Sequence, residues 1–421
     1  MTTSEQADLR PRTKPGRAEF VVLVAMLMSI IALSVDIMLP AFGDISAHFQ
    51  LAEDNDRQAI ITIIFAGLMV GQVIFGPLSD YIGRKPAILI GLAFHLAGSI
   101  LCIIAQDFTV LLIGRFLQGF GGAAPRIVIV AMVRDKFAGA QMAQVMSIAL
   151  TVFILVPTFA PAIGQLILLV APWQMLFVAL LAMALIGGTW LTFRQPETHT
   201  ELAPFEASRL LGAFKTVVTT PISMLYAMAA GCAFGTLLGY IVSSQQILQD
   251  LYGTGELFAF YFGATAAFIA LSNTANAWLL NRFTMEAITA WAIGLQVIWS
   301  LAFLAWISIT DSIPSLMVWM VFISVTLFFV GITFGNYNAI ALRPLGKIAG
   351  IASSITASIQ TLISVLVAAS IGAAFDMNVM PVVAGSALMG FIASALMVLA
   401  RYLAKGQAAL ADPSTSKSIG T

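Results

Sequence analysis

Residues 76–88 read GPLSDYIGRKPAI and lie between two apolar runs, 58–79 and 86–106. Each run approaches or exceeds the roughly 20 apolar residues that a helix needs to cross the hydrocarbon of a bilayer. The stretch between them supplies the reversal. Gly76 allows two helices to approach closely, Gly83 permits a tight turn, and Asp80 with Arg84 and Lys85 can build a charge network at the membrane surface. A charged turn between two long apolar helices is the repeating unit of a polytopic α-helical membrane protein. Runs this long without a two-residue period are not the strands of a barrel.

Outward from that hairpin the pattern repeats. A basic N-terminus (Arg10, Arg12, Lys14, Arg17) precedes an apolar run from Phe20 to about Gly43. That run is too long for the core of a signal peptide and reads as an uncleaved first helix. Further runs fall near 108–133, 141–170, 172–193, 221–248, 257–280, 287–309, 314–342, 348–375 and 381–400, giving twelve spans. The composition agrees, with 60% hydrophobic and 10% charged residues, against about 45–50% and about 25% in soluble domains. Zero net charge argues against a nucleic-acid partner. Cys102 and Cys232 lie far apart within apolar runs, without disulfide or metal-ligand spacing. No metal site, cofactor or enzyme motif is expected, and without a nucleotide-binding domain ATP-driven transport would need a partner chain. His95 is the one histidine within a span, read either as a packing residue or as a proton relay.

Basic residues orient the chain. With the N-terminus assigned to the cytoplasm, 17 of the 20 Lys and Arg fall on that side. Arg57 alone lies outside, among Asp44, Glu53, Asp54, Asp56, Asp107, Asp250, Glu256, Asp311 and Asp376. Moving the count by one helix destroys the alternation. The expected organisation is a cytoplasmic tail 1–19, a six-helix half 20–193, a cytoplasmic loop 194–220 with Pro196 and Pro204, a second half 221–403, and a cytoplasmic tail 404–421. Two six-helix halves of this kind suit a transporter that rocks about a mid-membrane site, although topology alone leaves other twelve-helix transporters open.

Three formal charges lie within spans: Asp36, Arg115 and Arg126. Such residues are costly in hydrocarbon and mark function by default. Counted from Gly43 and Phe108, Asp36 and Arg115 both sit about 10 Å below the outer surface. Opposite charges at one depth are expected to pair, which lowers the cost of burying either. Pro40 removes the helical donor for the carbonyl of Asp36, so the first helix can bend there.

The 76–88 stretch resembles the G-x-L-x-D-x-x-G-R-K signature of the major facilitator superfamily. The equivalent loop of the second half, NAWLLNRFTMEA from Asn276, keeps Arg282 but lacks the acid and the second glycine. DIMLPA (36–41) and RFLQGFGGAA (115–124) resemble motifs of the twelve-helix drug:proton antiporters. VPTFAPAIG (156–164) resembles their helix 5 motif through Pro157, Ala160, Pro161 and Gly164. RPLGKIAGIASS (343–354), with PET at 196–198, resembles the bicyclomycin-resistance (Bcr/CflA) branch. The likeness implies an all-α, twelve-helix, two-half fold in a bacterial inner membrane, working as a monomer. It also implies that Gly76, Asp80, Gly83, Arg84 and Lys85 form a cytoplasmic latch with Arg134 and the start of helix 11.

The implied activity is export of a small drug in exchange for protons, with Asp36 taking the proton and Arg115 and Gln118 sharing its charge. Arg126 departs from the small residue usual in the family and either snorkels to the cytoplasmic interface or contacts substrate. The absence of a second membrane acid favours neutral or zwitterionic compounds over dications. Tyr240, Gln246, Asn273, Asn276, Asn336, Asn338 and Gln360 are polar candidates for the substrate cavity, or else hydrogen bonds between helices. Pro157 and Pro161, four apart with small neighbours, suit a helix that bends or slides between states. Uptake or exchange of an endogenous metabolite on the same fold is the alternative. A receptor or scaffold would need larger soluble segments than the loop at 194–220.

Overall fold

The computed structural model describes residues 16–199 and 207–411, and contains no strand among them. Twelve helical segments are long and apolar enough to cross a membrane, as hydropathy predicts. Of the basic residues used above to orient the chain, Arg10, Arg12, Lys14 and Lys417 and the side chains of Arg209, Lys347 and Lys405 lie outside the described residues.

The first span runs from Arg17 to Phe49 and is broken. α1 (Arg17–Asp36) stops where Pro40 has no N–H to offer the Asp36 carbonyl. A 3₁₀ turn, Leu39–Ala41, leads into α2 (Phe42–Phe49). The span therefore continues past Gly43, and Asp36 lies some 20 Å along it from Phe49. The depth of Asp36 counted from Gly43 therefore does not hold, although Asp36 and Arg115 stay near one level, since Arg115 meets the carbonyl of Ser34 two residues away.

The other spans follow the expected boundaries closely. They are α3 (Ala59–Ile82), α4 (Arg84–Ile104), α5 (Phe108–Lys136), α6 (Gly139–Leu168), α7 (Gln174–Arg194), α9 (Pro221–Gln245), α10 (Phe258–Leu279), α11 (Met285–Thr310), α12 (Leu316–Leu342), α13 (Ala349–Ala373) and α14 (Met380–Ala411). Two boundaries need correction. The 194–220 connection is not all loop, because α8 (Ala207–Thr219) forms within it. Its buried Ala213 and Val217 pack on Leu345, Ala352 and Ile355, while Leu211 and Phe214 stay exposed. At the other end, α14 continues through Ala411, past the expected start of a tail at 404.

In the first half α5 is the hub, packed between α3 and α4. Its small residues explain how three backbones come so close. A Cβ on Gly119 would collide with the Ile64 carbonyl of α3, and one on Gly121 with the Gly91 carbonyl of α4. Helices without a hydrophobic drive to associate in lipid rely on such close packing. In the second half α9 is the hub, against α12, α13 and α14. The halves meet along α3 with α13 and α6 with α10.

The two ends of the bundle differ in charge. Arg84, Lys85, Arg134, Lys136, Arg194, Arg282, Arg343 and Arg401 gather at one, hereafter the basic end; Asp54, Asp56, Asp107, Asp250 and Asp311 gather at the other, the acidic end.

Candidate functional site

A cavity of about 300 Å³ lies between the halves, walled mainly by apolar side chains of both. Two charges reach it, Asp36 from the end of α1 and Arg126 from α5, together with the amide of Asn273 on α10. Asp36 is buried, and its Oδ1 accepts no hydrogen bond. Among the described residues neither Asp36 nor Arg126 has an ion-pair partner. Asn273 donates to the Ile269 carbonyl at 2.8 Å, which leaves its own amide oxygen for other contacts. Phe65, Phe153, Phe234 and Phe334, from four different helices, supply aromatic surface. An unpartnered carboxylate in such surroundings is expensive unless something from outside meets it.

The expected Asp36–Arg115 pair does not form. Arg115 is completely buried and spends its donors elsewhere. Its Nη2 donates to the Ser34 carbonyl at 2.9 Å, its Nε to the Ile60 carbonyl at 3.1 Å, and its Nη1 to Gln118 Oε1 at 2.8 Å. Ser34 is among the last four residues of α1, whose carbonyls a helix end leaves without internal donors. The break that exposes Asp36 to the cavity thus also creates the acceptor that draws Arg115 away from it. Gln118 continues the network by donating to Ser99 Oγ at 2.8 Å, and its carbonyl meets His95 Nδ1 at 3.0 Å. Arg115, Gln118 and His95 therefore tie α1, α3, α4 and α5 together and do not line the cavity.

At the basic end a second hollow, about 310 Å³, lies between α3, α5, α12 and α13. Arg126 borders both it and the central cavity. Asp80, Arg84, Arg134 and Asn338 also line this vestibule. Within the 76–88 turn, a Cβ on Gly76 would press on Ser354 Oγ of α13, and Gly83 has φ of 101°, a conformation that needs glycine.

Arg84 is the centre of the charge network. It holds Asp80 and Asp135, the latter at 2.9 Å, and donates to Ser79 Oγ at 2.8 Å. Asp80 is thus engaged by Arg84 and forms no ion pair with Arg134, which instead lies near Gly350 at the start of α13. Lys85 caps the end of α7 through the Thr192 and Gln195 carbonyls. Glu197, in the PET segment, receives the backbone N–H groups of Arg84 and Lys85, both at 3.0 Å, and those of Thr198 and His199.

The remaining polar candidates divide by place. Asn338 accepts from Gln360 at 2.8 Å beside the vestibule. Asn336 and Asn276 exchange two hydrogen bonds of 3.0 Å between α12 and α10. Tyr240 meets Thr265 Oγ1 at 3.0 Å and stacks on Phe262, away from the cavity. Gln246 belongs to the acidic end, where it bonds Gln58 and Asn55 of the other half. Beside it, Arg57 pairs with Asp250, and Asn55 donates to the Phe375 carbonyl at 2.9 Å. These contacts seal the acidic end across the two halves. The sequence held one signal for them: Arg57 is the lone base among the acids of that side.

On α6, Pro157 faces the cavity and Ala160 is buried. A Cβ on Gly164 would strike the Ile37 carbonyl in the break after α1. Both prolines lie inside the helix, with Pro161 between the cavity-facing turn and that contact.

A family model described as Major Facilitator Superfamily matches residues 21–369. A bicyclomycin resistance protein homolog of Haemophilus influenzae is 27% identical over 353 residues, covering 81% of this chain and 85% of its own. An uncharacterised MFS-type transporter, YdgK of Bacillus subtilis, is 29% identical over 281 residues, or 64% of this chain and 67% of its own. The multidrug resistance protein MdtL of Salmonella paratyphi B is 29% identical over 235 residues, 56% of this chain and 59% of its own. Among solved structures, the human organic anion transporter MFSD10 superposes with a TM-score of 0.63 at 16% identity, over 93% of this chain and all of that one. At that identity the likeness is one of fold.

Proposed function

This chain belongs to the major facilitator superfamily, and on that premise we propose that it exports small, neutral or zwitterionic amphipathic drugs in exchange for protons. It is a multi-pass membrane transporter and not an enzyme. In this reading it sits in a bacterial inner membrane as a monomer, with the basic end and both termini in the cytoplasm, as the placement of Lys and Arg favours. The names of the relatives, bicyclomycin resistance and multidrug resistance, support drugs as the substrate class.

The observation that carries the proposal is Asp36, a buried carboxylate with an unpartnered oxygen facing an apolar cavity between the halves. Such a group is stabilised by a proton or by a donor on the substrate, and one excludes the other. Exclusive occupancy of a single acid is what couples two opposite fluxes in an alternating-access cycle. Arg115 contributes by holding the end of α1, and so the position of Asp36, through the Ser34 carbonyl. The contacts of Arg57, Gln58 and Asn55 across the acidic end, with a vestibule at the basic end, support an inward-facing state. In the outward-facing state the vestibule would close, and Arg134 would come within reach of Asp80.

The test has two stages. Expression in a host without its own pumps should raise inhibitory concentrations for some of a panel of amphenicols, bicyclomycin and fluoroquinolones. In everted vesicles, the protected compound should then accumulate under an imposed pH gradient with the native protein and not with Asp36→Asn. Membrane expression without protection against any compound would point instead to an endogenous metabolite.

A further inference from the structure

The central cavity holds one acid and one base, and they stand apart. Asp36 is nineteen residues from Arg17 at the basic end of α1, and Arg126 is ten residues from Lys136 at the basic end of α5. At the rise of an α-helix these positions differ by about 13 Å along the bundle axis. Neither charge has an ion-pair partner among the described residues, and Phe65, Phe153, Phe234 and Phe334 line the space that they share.

We propose that this cavity is built for an elongated zwitterion, its acidic group on Arg126 and its cationic group on Asp36, with an aromatic or aliphatic body between. The inference rests on the reading of Asp36 as the proton site, and charge balance decides among substrate types. In an apolar cavity the arrangements of zero net charge are favoured. The empty cavity meets this condition with Asp36 ionised and Arg126 cationic. A purely anionic substrate on Arg126 restores neutrality only when Asp36 is protonated, so anion and proton would bind together and move in the same direction.

A purely cationic substrate on Asp36 leaves Arg126 unbalanced beside it. A zwitterion satisfies both ends and remains neutral while its cationic group displaces the proton. Of the three types, it alone competes with the proton without leaving a net charge in the cavity. Arg126 borders both the vestibule and the cavity, so a substrate entering from the basic end past Asp80, Arg84 and Arg134 would meet it before Asp36.

Three quinolones that share a ring system separate the cases. Norfloxacin is zwitterionic, its ethyl ester is cationic, and its N-acetyl derivative, acylated on the piperazine, is anionic. Equilibrium binding of each would be measured on the purified full-length protein, with thermal melting as the check on folding. The native protein should bind norfloxacin at least tenfold more tightly than either relative. Arg126→Gln should lose that preference by weakening norfloxacin about tenfold while binding the ester as well as before or better. Arg126→Lys should retain part of the preference.

Equal or weaker binding of norfloxacin by the native protein, or a uniform loss of all three ligands in a well-folded Arg126→Gln, would overturn the proposal. The proton reading fails by a different signature. If binding of the ethyl ester, which has no carboxylate of its own to titrate, still falls at low pH with Asp36→Asn as with the native protein, Asp36 is not the site of competition. The discrimination by Arg126 would then stand without it.

Discussion

Arg115 and Arg126 stand eleven residues apart on one helix, carry the same charge, and have different roles. Arg115 is held by two carbonyls and an amide, while Arg126 keeps its donors for the cavity. Removing Arg115 leaves buried acceptors without donors, each at a cost of about 1–3 kcal/mol. Arg115→Met should therefore melt at a clearly lower temperature in detergent and accumulate poorly in membranes. Asp36→Asn should melt at or above the native temperature, because it neutralises a carboxylate that the fold leaves unpartnered. Intrinsic fluorescence during heating checks both, and the opposite ranking would contradict these assignments. Hydropathy was enough to place all three charges within spans. Their partners were not legible, because pairing depends on where α1 ends and which way each side chain turns. Counting depth from Gly43 missed α2, and with it the carbonyl at Ser34 that engages Arg115.

At the scale of elements, most of the spanning helices were legible to within a few residues, because each is an apolar run between charged turns. What the pattern did not reveal is how they lock. The Gly83 turn is held by Glu197, from a segment more than a hundred residues later, through the amides of Arg84 and Lys85. Glu197→Gln replaces one of two acceptor oxygens by a donor and removes the charge. Hydrogen exchange at the amides of Arg84 and Lys85 should accelerate in that variant, while exchange within α3 and α4 stays as it was. Unchanged protection at the turn would show that Glu197 does not hold it.

Gly164 on α6 presses on the freed carbonyl of Ile37, next to the break that carries Asp36. Gly164→Val overpacks this contact at a cost of about 1–3 kcal/mol. It should reduce transport more than melting temperature, since the displaced atoms adjoin the proton site. The helix α8 is not legible from hydropathy because its 13 residues fall short of a span and its flanks are polar. It is fixed by docking Ala213 and Val217 on Leu345, Ala352 and Ile355.

Across the whole molecule, the two ends report one conformation. Arg57 with Asp250, and Gln58 with Gln246, join the halves at the acidic end, while the basic end holds the vestibule. Gln246 had been grouped with the cavity from its place in a span, but the first and second halves converge around it and make it part of the seal. Arg57→Cys combined with Asp250→Cys should be bridged by a bis-methanethiosulfonate reagent that arrests transport, with recovery after reduction. Full transport by the cross-linked protein would mean that this end need not open.

The central claim is that substrate and proton contend for Asp36. Purified native protein in a weakly buffered solution, protonated near neutral pH, should release protons when a transported drug is added, and Asp36→Asn should release none under the same conditions. Release of equal size from Asp36→Asn, with drug binding intact, would contradict the account.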